Sequence, residues 1–417
     1  MKICLLTYRG NPYSGGQGVY VTALGRELAR QGHDVHCITG PPYPPPEEGI
    51  TWHRLPGMAL ELTRDNDSEE NDSAGGDRPF GTISAALSPL ALMERGALAM
   101  GMFPEIAAFS LRAFYCVRKL LSRHRFDVIH DNQTLGWGLL PMKALGIPMV
   151  ATIHHPLTID RQRGFDPPTS FRRQLGQTLF YPIGMQGFVA RRMACIVTVS
   201  HASARAIRHD FKVRPERLIV IYNGIDGDHF RPPAAPSRVA GRAIWVGNLE
   251  DRNKGAAYLL QSVPHCRNLR ELLVITASPR IPEWATSLVR DLGVTDRVRF
   301  HEPVDRAALP RWFATADLAV CSSIFEGFGM PIAEAMACGL PVVAARGGAL
   351  PEVVGDAGLL VPPRDPVALA AAIDKLLGDA PMRQRLGRAA RKRVLARFRW
   401  EDTAQRVVEV YRGLQEL

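Results

Sequence analysis

The chain has 417 residues, of which 46% are hydrophobic and 22% are charged, and its formal net charge at pH 7 is +10. This length suits two domains of ordinary size, and the composition is typical of globular proteins. No apolar run approaches the roughly 20 residues that a membrane-spanning helix needs. The first apolar segment, Met1–Tyr8, is too short for a signal peptide and is predicted to be a buried strand. The disordered and membrane-spanning classes are therefore disfavoured.

Strands alternate with helices through the first half of the chain, which predicts an α/β domain with a parallel sheet. Segment Val19–Gln31 is predicted to be a helix, because Val21, Leu24 and Leu28 fall on one face. The predicted strands are Ile3–Thr7, Asp34–Thr39, Asp127–His130, Pro148–Ile153, Cys195–Ser200 and Ile219–Tyr222.

Two segments interrupt this alternation. Arg64–Pro79 is polar and acidic, so we expect a mobile loop there. Ile83–Leu121 is apolar and helical in character, and we expect it to cover the first sheet as core. An apolar surface for a lipid-like acceptor or a membrane is the alternative.

The second half restarts the alternation after a linker rich in proline and alanine, Gly224–Arg242. Its predicted strands are Ala243–Gly247, Glu271–Thr276, Val298–His301, Leu318–Cys321 and Pro341–Ala345. The final segment, Trp400–Leu417, is predicted to be a helix. The pattern therefore indicates two parallel-sheet halves joined by a linker.

The cysteines are odd in number, dispersed and free of any C-x-x-C pair: Cys4, Cys37, Cys116, Cys195, Cys266, Cys321 and Cys338. This pattern predicts reduced, mostly buried thiols, with neither a disulfide frame nor a zinc site. We therefore expect a cytoplasmic protein.

A glycine-rich turn between two glutamates carries the strongest functional signal. Glu326 and Glu334 lie eight positions apart in Phe325–Pro341, and a short helix is predicted between Pro331, at its first position, and Gly339. Apolar flanks predict buried parallel strands, whose carboxyl ends bind ligands in open α/β sheets. A helix N-terminus attracts phosphate, and carboxylates accept hydrogen bonds from sugar hydroxyls. This arrangement suits a nucleotide sugar better than a solvated surface helix.

This stretch resembles the E-x7-E signature of retaining glycosyltransferases of the GT-B fold, family 4, and the resemblance covers most of the chain. It implies an α/β fold of two Rossmann-like domains with parallel sheets facing across a cleft. Residues 1–223 would form the N-terminal acceptor-side domain and 224–242 the linker. Residues 243–399 would form the nucleotide-sugar-binding domain, and the helix 400–417 would pack back on the first domain.

The resemblance implies roles for residues of the second domain. Glu326 would contact hydroxyls of the transferred sugar as a catalytic residue, and Glu334 would hold the ribose. Backbone groups at Gly329 and Met330 would meet the phosphates, and Val304 would help to frame the base.

Segment 245–255 resembles the family's V-G-R-L…K-G phosphate grip, with one departure. Lys254 matches the lysine, but Asn248 occupies the arginine position. Asparagine brings neither a charge nor a bidentate fork. Arg252 would supply the charge from a shifted position; otherwise the donor grip is altered.

Two features of the first half match the family as well. The glycines Gly15 and Gly16 open the first long helix, where the resemblance places the donor diphosphate; tight packing is the alternative. His154 ends a buried strand and matches a family histidine that faces the sugar, so the resemblance makes it the second catalytic residue, with His155 as the neighbouring alternative. The acceptor side is expected to include His130, Asp131 and Asn132.

The D-x-D sequence Asp226–Asp228 matches a metal-binding pattern, but we do not expect it to bind a metal ion. It lies in a segment that resembles the family's interdomain N-G-(V/I)-D. The family neutralises the leaving diphosphate with cations and a helix terminus. The resemblance therefore implies no metal and no cofactor besides the donor substrate.

We therefore expect an enzyme, a retaining and metal-independent hexosyltransferase that uses a UDP- or GDP-sugar and an acceptor hydroxyl of a glycan, lipid-linked or of the cell envelope. The alternatives are a non-catalytic nucleotide-sugar binding or scaffold protein, motivated by Asn248, and a GT-B epimerase. The basic block 383–399 is either a solvated helix face or a peripheral contact with the inner face of the membrane. Nucleic acid is not expected as a partner, because aromatic stacking platforms are absent there.

Overall fold

Helices and strands alternate in both of the units into which the chain divides. The structure, a computed structural model, describes residues 1–10, 16–57, 104–162, 183–233, 238–278 and 280–416. Unit 1 comprises Met1–Thr198, Ala204–Val220 and Ala404–Leu417, and unit 2 comprises Val199–Ser203 and Ile221–Thr403. The acidic segment 64–79 lies outside the described residues.

Unit 1 contains a seven-stranded parallel sheet in the order β3-β2-β1-β4-β5-β6-β7. Its strands are β1 (Lys2–Thr7), β2 (Asp34–Thr39), β3 (Ile50–Arg54), β4 (Val128–Asn132), β5 (Met149–Ile153), β6 (Cys195–Thr198) and β7 (Leu218–Val220). The strands β4, β5 and β6 are buried along their whole length, as a parallel sheet covered by helices requires, although β4 ends in the polar residues 130–132. The strand order reverses between β1 and β4, so their carboxyl ends form a switch point of the kind where ligands bind.

Six α-helices accompany these strands in the described ranges, and the first of them begins at Gly16. They are α1 (Gly16–Arg30), α2 (Glu105–Leu120), α3 (Leu139–Lys143), α4 (Leu157–Gln162), α5 (Ile183–Ala190) and α6 (His201–Phe211). Helix α2 buries Ile106, Phe109, Ala113 and Val117 in the core of unit 1. This part of the apolar segment therefore forms core, and residues 83–103 lie outside the description.

Unit 2 contains a six-stranded parallel sheet in the order β10-β9-β8-β11-β12-β13. Its strands are β8 (Arg242–Gly247), β9 (Glu271–Thr276), β10 (Val298–His301), β11 (Leu318–Cys321), β12 (Val342–Ala345) and β13 (Leu359–Val361). Here the order reverses between β8 and β11, which places a second switch point at their carboxyl ends.

The helices of unit 2 cover both faces of its sheet. They are α7 (Ala256–Ser262), α8 (Glu283–Asp291), α9 (Leu309–Phe313), α10 (Met330–Ala337), α11 (Leu350–Val354), α12 (Pro366–Gly378) and α13 (Ala380–Arg397). Alternate residues of β8 enter different cores: Ile244 packs in one hydrophobic cluster, and Ala243 and Trp245 in the other. This alternation is what the period-two geometry of a strand requires. Among the described helices, none has the length and apolar character that crossing a bilayer requires.

The last helix, α14 (Trp400–Gln415), contributes its later turns to unit 1. Tyr411 is fully buried, and its hydroxyl lies 2.6 Å from Nδ1 of His130 on β4. Near its end, Gln415 donates to the carbonyl of Asp127 at 3.4 Å. Unit 1 is therefore completed by residues from the far end of the chain.

The predicted fold class is confirmed: the protein is α/β, with two parallel sheets. Strands β3 and β13 were not predicted, and they extend the two sheets beyond the expected elements. The strand predicted at Ile219–Tyr222 is instead Leu218–Val220.

Candidate functional site

The carboxylate of Glu326 lies in the loop that follows β11. The residue is 9% exposed, and its Oε1 accepts hydrogen bonds from Lys254 Nζ at 2.8 Å and from Ser323 Oγ at 2.7 Å. The Glu326 carbonyl accepts from the amide of Ala349 at 2.9 Å. A Cβ added at Gly348 would lie 2.3 Å from that carbonyl oxygen, so only glycine allows the approach. Both the backbone and the side chain of Glu326 are thus held in place.

The loop after β8 carries Lys254 to this carboxylate. It ends in a short 3-10 turn, Arg252–Lys254, closed by Gly255 at a φ of 63°. The amide of Ile324 donates to the carbonyl of Asn253 at 2.7 Å, which ties the loop after β8 to the loop after β11. The two loops therefore form one surface at the switch point of unit 2.

The ammonium of Lys254 remains charged in this setting. Burial lowers its pKa, but the charge and hydrogen bond of Glu326 outweigh burial and leave the pKa of Lys254 above its ordinary value. The site consequently presents a fixed cation beside a fixed carboxylate, at the strand ends where open α/β sheets bind ligands.

Asn248, which occupies the family's arginine position, is committed to its own loop. Its Oδ1 accepts from the amide of Glu250 at 2.9 Å and from Ser278 Oγ at 2.7 Å. Arg252, the expected substitute for the missing charge, is exposed at the start of the 3-10 turn. Asn248 thus orders the loop that carries Lys254, because its amide oxygen accepts both of these hydrogen bonds.

Helix α10 begins at Met330, after Gly329 in a left-handed conformation with a φ of 96°. Pro331 therefore occupies the second helical position, where the sequence predicted the first. The reason is that the Gly329 carbonyl already accepts the helical hydrogen bond from Ala333, at 3.1 Å. Gly339 takes the expected left-handed conformation beyond the helix end, with a φ of 75°.

Glu334 lies in α10 and is only 2% exposed. Its Oε1 accepts two hydrogen bonds from the guanidinium of Arg306, that from Nε at 3.1 Å. Burial raises the pKa of Glu334, and the charge and hydrogen bonds of Arg306 offset part of that rise. The guanidinium carbon also lies 5.1 Å from the centre of the Phe230 ring. Glu334, predicted to hold a ribose, therefore already shares one oxygen with an internal cation.

Sequence reasoning missed Arg306 and Ser323. A buried carboxylate requires a cation or a hydrogen-bond donor as its partner. Because Glu334 lies in an apolar helix, the sequence could have predicted that such a partner exists, although not which residue it is. Val304, predicted to frame the base, lies two residues before Arg306 and packs half-buried against the apolar core of unit 2.

In unit 1, His154 follows β5 and is 7% exposed. Its Nε2 donates to Asn132 Oδ1 at 2.8 Å, and Asn132 Nδ2 donates to the carbonyl of Gln17 in α1 at 3.1 Å. Burial, then the nearby His155 and His130, lower the pKa of His154 to about 3. His154 is therefore a neutral imidazole linked to the first turn of α1.

Helix α1 starts at Gly16, where a Cβ would meet nothing within 4 Å. Gly15 lies outside the described residues. The phosphate-binding role of the two glycines and the sugar-facing role of His154 stay predictions.

The residues predicted for the acceptor side are buried at the end of β4: His130, Asp131 and Asn132. His130 lies between Tyr411 and Thr152 Oγ1, the latter 2.7 Å from Nε2, and burial lowers its pKa to about 3. Asp131 Oδ2 accepts from the amide of Leu135 at 2.9 Å, and burial raises its pKa to about 7. Their acceptor-side role stays a prediction.

The D-x-D segment behaves as a turn. Asp226 Oδ1 accepts from the amides of Asp228 at 3.2 Å and His229 at 2.9 Å. Within the described ranges, no group of three or more histidine, cysteine, aspartate or glutamate side chains is arranged to hold a metal ion.

Comparison with known proteins covers both halves of the chain. A family model described as Glycosyltransferase Family 4 matches residues 14–68 and 77–229, and one described as Glycosyl transferases group 1 matches residues 240–379. The chain is 39% identical over 418 residues to the MMP alpha-(1->4)-mannosyltransferase of Mycolicibacterium hassiacum, with 99% of this chain and 98% of that protein covered.

More distant relatives and solved structures also resemble the chain over most of its length. The chain is 28% identical over 439 residues to the D-inositol 3-phosphate glycosyltransferase of Xylanimonas cellulosilytica, with 96% of this chain and 92% of that protein covered. The solved structure of Anabaena HepE in complex with UDP and glucose has the same fold, with a TM-score of 0.69 at 20% identity over 99% of this chain and all of that one. The chain therefore belongs to the family 4 glycosyltransferases and has their GT-B fold.

Proposed function

We propose that this glycosyltransferase moves mannose from a nucleoside-diphosphate donor to a hydroxyl group of a glycan, with retention of the anomeric configuration and without a metal ion. The observation that carries the proposal is the pair Lys254–Glu326 at the carboxyl ends of β8 and β11. The relative that is 39% identical, named as a mannosyltransferase, supports mannose. HepE in complex with UDP-glucose supports a nucleotide-sugar donor.

Lys254 and α10 would stabilise the leaving diphosphate. The ammonium has three N–H donors, and Glu326 takes one, so the others can reach phosphate oxygens. The N-terminus of α10, opened by Gly329, adds backbone N–H groups and the positive end of the helix dipole. These groups act where negative charge develops as the bond to the sugar breaks.

Glu326 would orient the sugar and not attack it. Its Oε1 is held by Lys254 and Ser323, and Oε2 accepts no hydrogen bond from the described residues, which suits it to a sugar hydroxyl. In the proposed step the bond between the anomeric carbon and the phosphate oxygen breaks while the acceptor oxygen bonds to the same face. The acceptor proton passes to the departing phosphate. Attack on the leaving-group face retains the configuration.

The 39% identical relative is named as an alpha-(1->4)-mannosyltransferase, so the acceptor group proposed here is a 4-hydroxyl of a glycan. D-Inositol 3-phosphate is the second candidate, because a relative that is 28% identical is named for it. A lipid-linked or cell-envelope glycan, and a peripheral contact with a membrane, remain expectations of the sequence.

The first test is turnover with GDP-mannose, UDP-glucose and UDP-galactose, each with a manno-oligosaccharide or D-inositol 3-phosphate as acceptor. We expect transfer of mannose to the oligosaccharide in the presence of EDTA, with an α linkage in the proton NMR spectrum of the product. A β-linked product from an α-linked donor would overturn retention, and loss of turnover with EDTA would overturn metal independence.

The second test concerns Glu326. We expect Glu326→Gln to lower kcat by about 100-fold, since misplacing the sugar costs this much, with donor Kd changed less than about threefold. The matched control is Glu283→Gln, an exposed carboxylate at the start of α8. Unchanged turnover in Glu326→Gln would defeat the assignment, and absence of transfer by the native protein with every donor would favour a scaffold.

A further inference from the structure

Unit 2 contains a cavity of about 720 Å³ at the end of the sheet opposite to the Lys254–Glu326 pair. Four segments line it: residues that precede β8, Ala314 after α9, the turn between α10 and β12, and one face of α13. The turn residue Pro341 comes directly before β12, so the cavity lies at the amino ends of the strands. Small-molecule sites typically enclose about 300 to 1,000 Å³, so the volume suits a small ligand.

The lining of this cavity is basic and otherwise apolar. Its charged members are all cations, with no aspartate or glutamate among the lining residues: Arg238, Arg383, Arg388, Arg391 and Lys392. Leu340, Pro341 and Leu395 supply apolar surface, and Leu395 is 38% exposed. A cavity with this lining favours a ligand that combines negative charge with an apolar or sugar-like part.

Two of the cations are held rigidly. Arg391 donates to the carbonyl of Phe230 at 3.1 Å and to that of Ala337, the last residue of α10. Arg383 donates to the carbonyls of Leu376 at 2.7 Å and Leu377 at 2.6 Å. These contacts fix α13 and therefore the wall of the cavity. A preformed wall loses little entropy when a ligand binds.

The contact between α13 and the turn also requires a glycine. A Cβ added at Gly387 would lie 2.3 Å from the carbonyl oxygen of Gly339, so this approach of the helix has no room for a side chain. Helix α13 therefore sits directly on the turn that ends α10, and the cations that follow Gly387 line the mouth of the cavity.

Three other cations are available to a ligand. Arg238, Arg388 and Lys392 are exposed and, within the ranges that the structure describes, make no hydrogen bond or ion pair. Arginine forks bind phosphate oxygens in a bidentate manner, and lysine adds a point charge. A carboxylate ligand would use fewer of these donors than a phosphate, which offers three oxygens.

We propose that this cavity is a binding site for a small soluble ligand that carries a phosphate group. It is separate from the donor site, because it lies at the opposite ends of the strands and shares no lining residue with the Lys254–Glu326 surface. The proposal does not depend on the sugar or the acceptor proposed above. Under this proposal the basic residues of α13 bind a phosphate-containing ligand and are not only a solvated helix face.

The test is calorimetric titration of the full-length protein with inorganic pyrophosphate, compared with Arg388→Glu and Arg385→Glu. Both positions are exposed on α13, and only Arg388 lines the cavity. We expect a binding event that is weakened at least about tenfold in Arg388→Glu and less than about twofold in Arg385→Glu. Pyrophosphate bound at the donor site would be equally affected in both variants.

Lys392→Ala provides a second variant, should charge reversal impair folding, and we expect it to weaken the same event by about threefold. No binding, or equal weakening in Arg388→Glu and Arg385→Glu, would overturn the proposal. Flotation with vesicles of phosphatidylglycerol separates the two sources of phosphate. Vesicle binding that depends on Arg388, without any pyrophosphate binding, would replace the soluble ligand with a lipid headgroup.

Discussion

The ion pair between Arg306 and Glu334 shows how one residue of the candidate site depends on another. Glu334 is in an apolar helix with 3% of its side chain exposed, and Arg306, with 28% exposed, reaches it from the loop after β10. An isolated carboxylate at this depth would be costly, because burial disfavours the charged form. Arg306 therefore allows Glu334 to remain near the N-terminus of α10 as a hydrogen-bond acceptor.

At this scale we predict that Arg306→Met lowers the free energy of unfolding by about 3 kcal/mol, because it leaves a buried carboxylate without its cation. The double variant Arg306→Met, Glu334→Gln should recover at least half of that loss. Denaturant unfolding followed by circular dichroism measures both. Arg311→Met, which changes an exposed arginine of α9, is the control. A double variant no more stable than Arg306→Met would contradict the explanation.

The sequence predicted only in part which side chains of the candidate site bind to each other. Lys254 and Glu326 were identified separately from their motifs, but the hydrogen bond between them depends on the approach of two loops that are far apart in the chain. Arg306 and Ser323 belong to no motif that the sequence showed. Such partners are set by tertiary packing, which a pattern of spacing does not contain.

At the scale of secondary-structure elements, glycines allow the loops after β8 and β11 to approach each other. Gly255 has room only for a hydrogen, since a Cβ there would lie 2.2 Å from the carbonyl oxygen of Ser322. Gly348 plays the same part against Glu326. These contacts convert two connections into one rigid surface, which is what positions a cation against a carboxylate.

We predict that Gly348→Ala reduces transfer by about 100-fold, because its Cβ displaces the backbone of Glu326. Gly293→Ala is the matched control: it also has a positive φ, of 67°, but a Cβ there would meet nothing within 4 Å. The control should cost about 1 kcal/mol of stability and leave turnover within about twofold. Initial rates and thermal unfolding of both variants check this; equal loss of activity in the two would show that left-handed backbone strain, and not the contact with Glu326, is responsible.

Central strands could be predicted from the sequence, whereas the outer strands β3 and β13 could not. Strand β5 is buried on both faces and is a continuous run of apolar and small residues, and β4 begins with the apolar pair Val128 and Ile129. Strand β3 fully buries only Ile50, and β13 has three residues. In these two strands, half-exposed side chains give no strict pattern, and pairing with the neighbouring strand decides the conformation. The edge strand β10 was predicted at its observed bounds, Val298–His301, so an edge position alone does not prevent prediction.

At the scale of the whole molecule, buried titratable groups link stability to pH. Burial lowers the pKa of His130 and of His154 to about 3 and raises that of Asp131 to about 7. From roughly pH 6.5 down to 4, the unfolded chain holds protons on both histidines, while the folded chain holds one on Asp131. The unfolded state binds more protons in this window, so stability falls as the pH falls.

We predict a loss of about 1 to 2 kcal/mol in the free energy of unfolding of unit 1 between pH 7 and pH 5. His130→Gln removes one of these histidines, so the loss should be smaller than in the native protein. What remains comes from His154 and from His33 and His36, whose pKa values burial also lowers. Denaturant titrations at both pH values measure it. His209→Gln, whose histidine side chain is 83% exposed, should keep the full dependence. A loss as large in His130→Gln as in the native protein would contradict the assignment to buried His130.

The position of α14 also bears on how the protein is made. Tyr411, which lies against His130 in the interior of unit 1, follows it by 281 residues in the chain. On a ribosome, the amino-terminal sheet therefore emerges long before the helix that closes it. Domains generally fold as units during synthesis, but unit 1 can be completed only after unit 2 and then α14 have been synthesised. The nascent chain consequently has all seven strands of the first sheet by Val220, but it exposes the surface that Tyr411 covers until α14 has emerged.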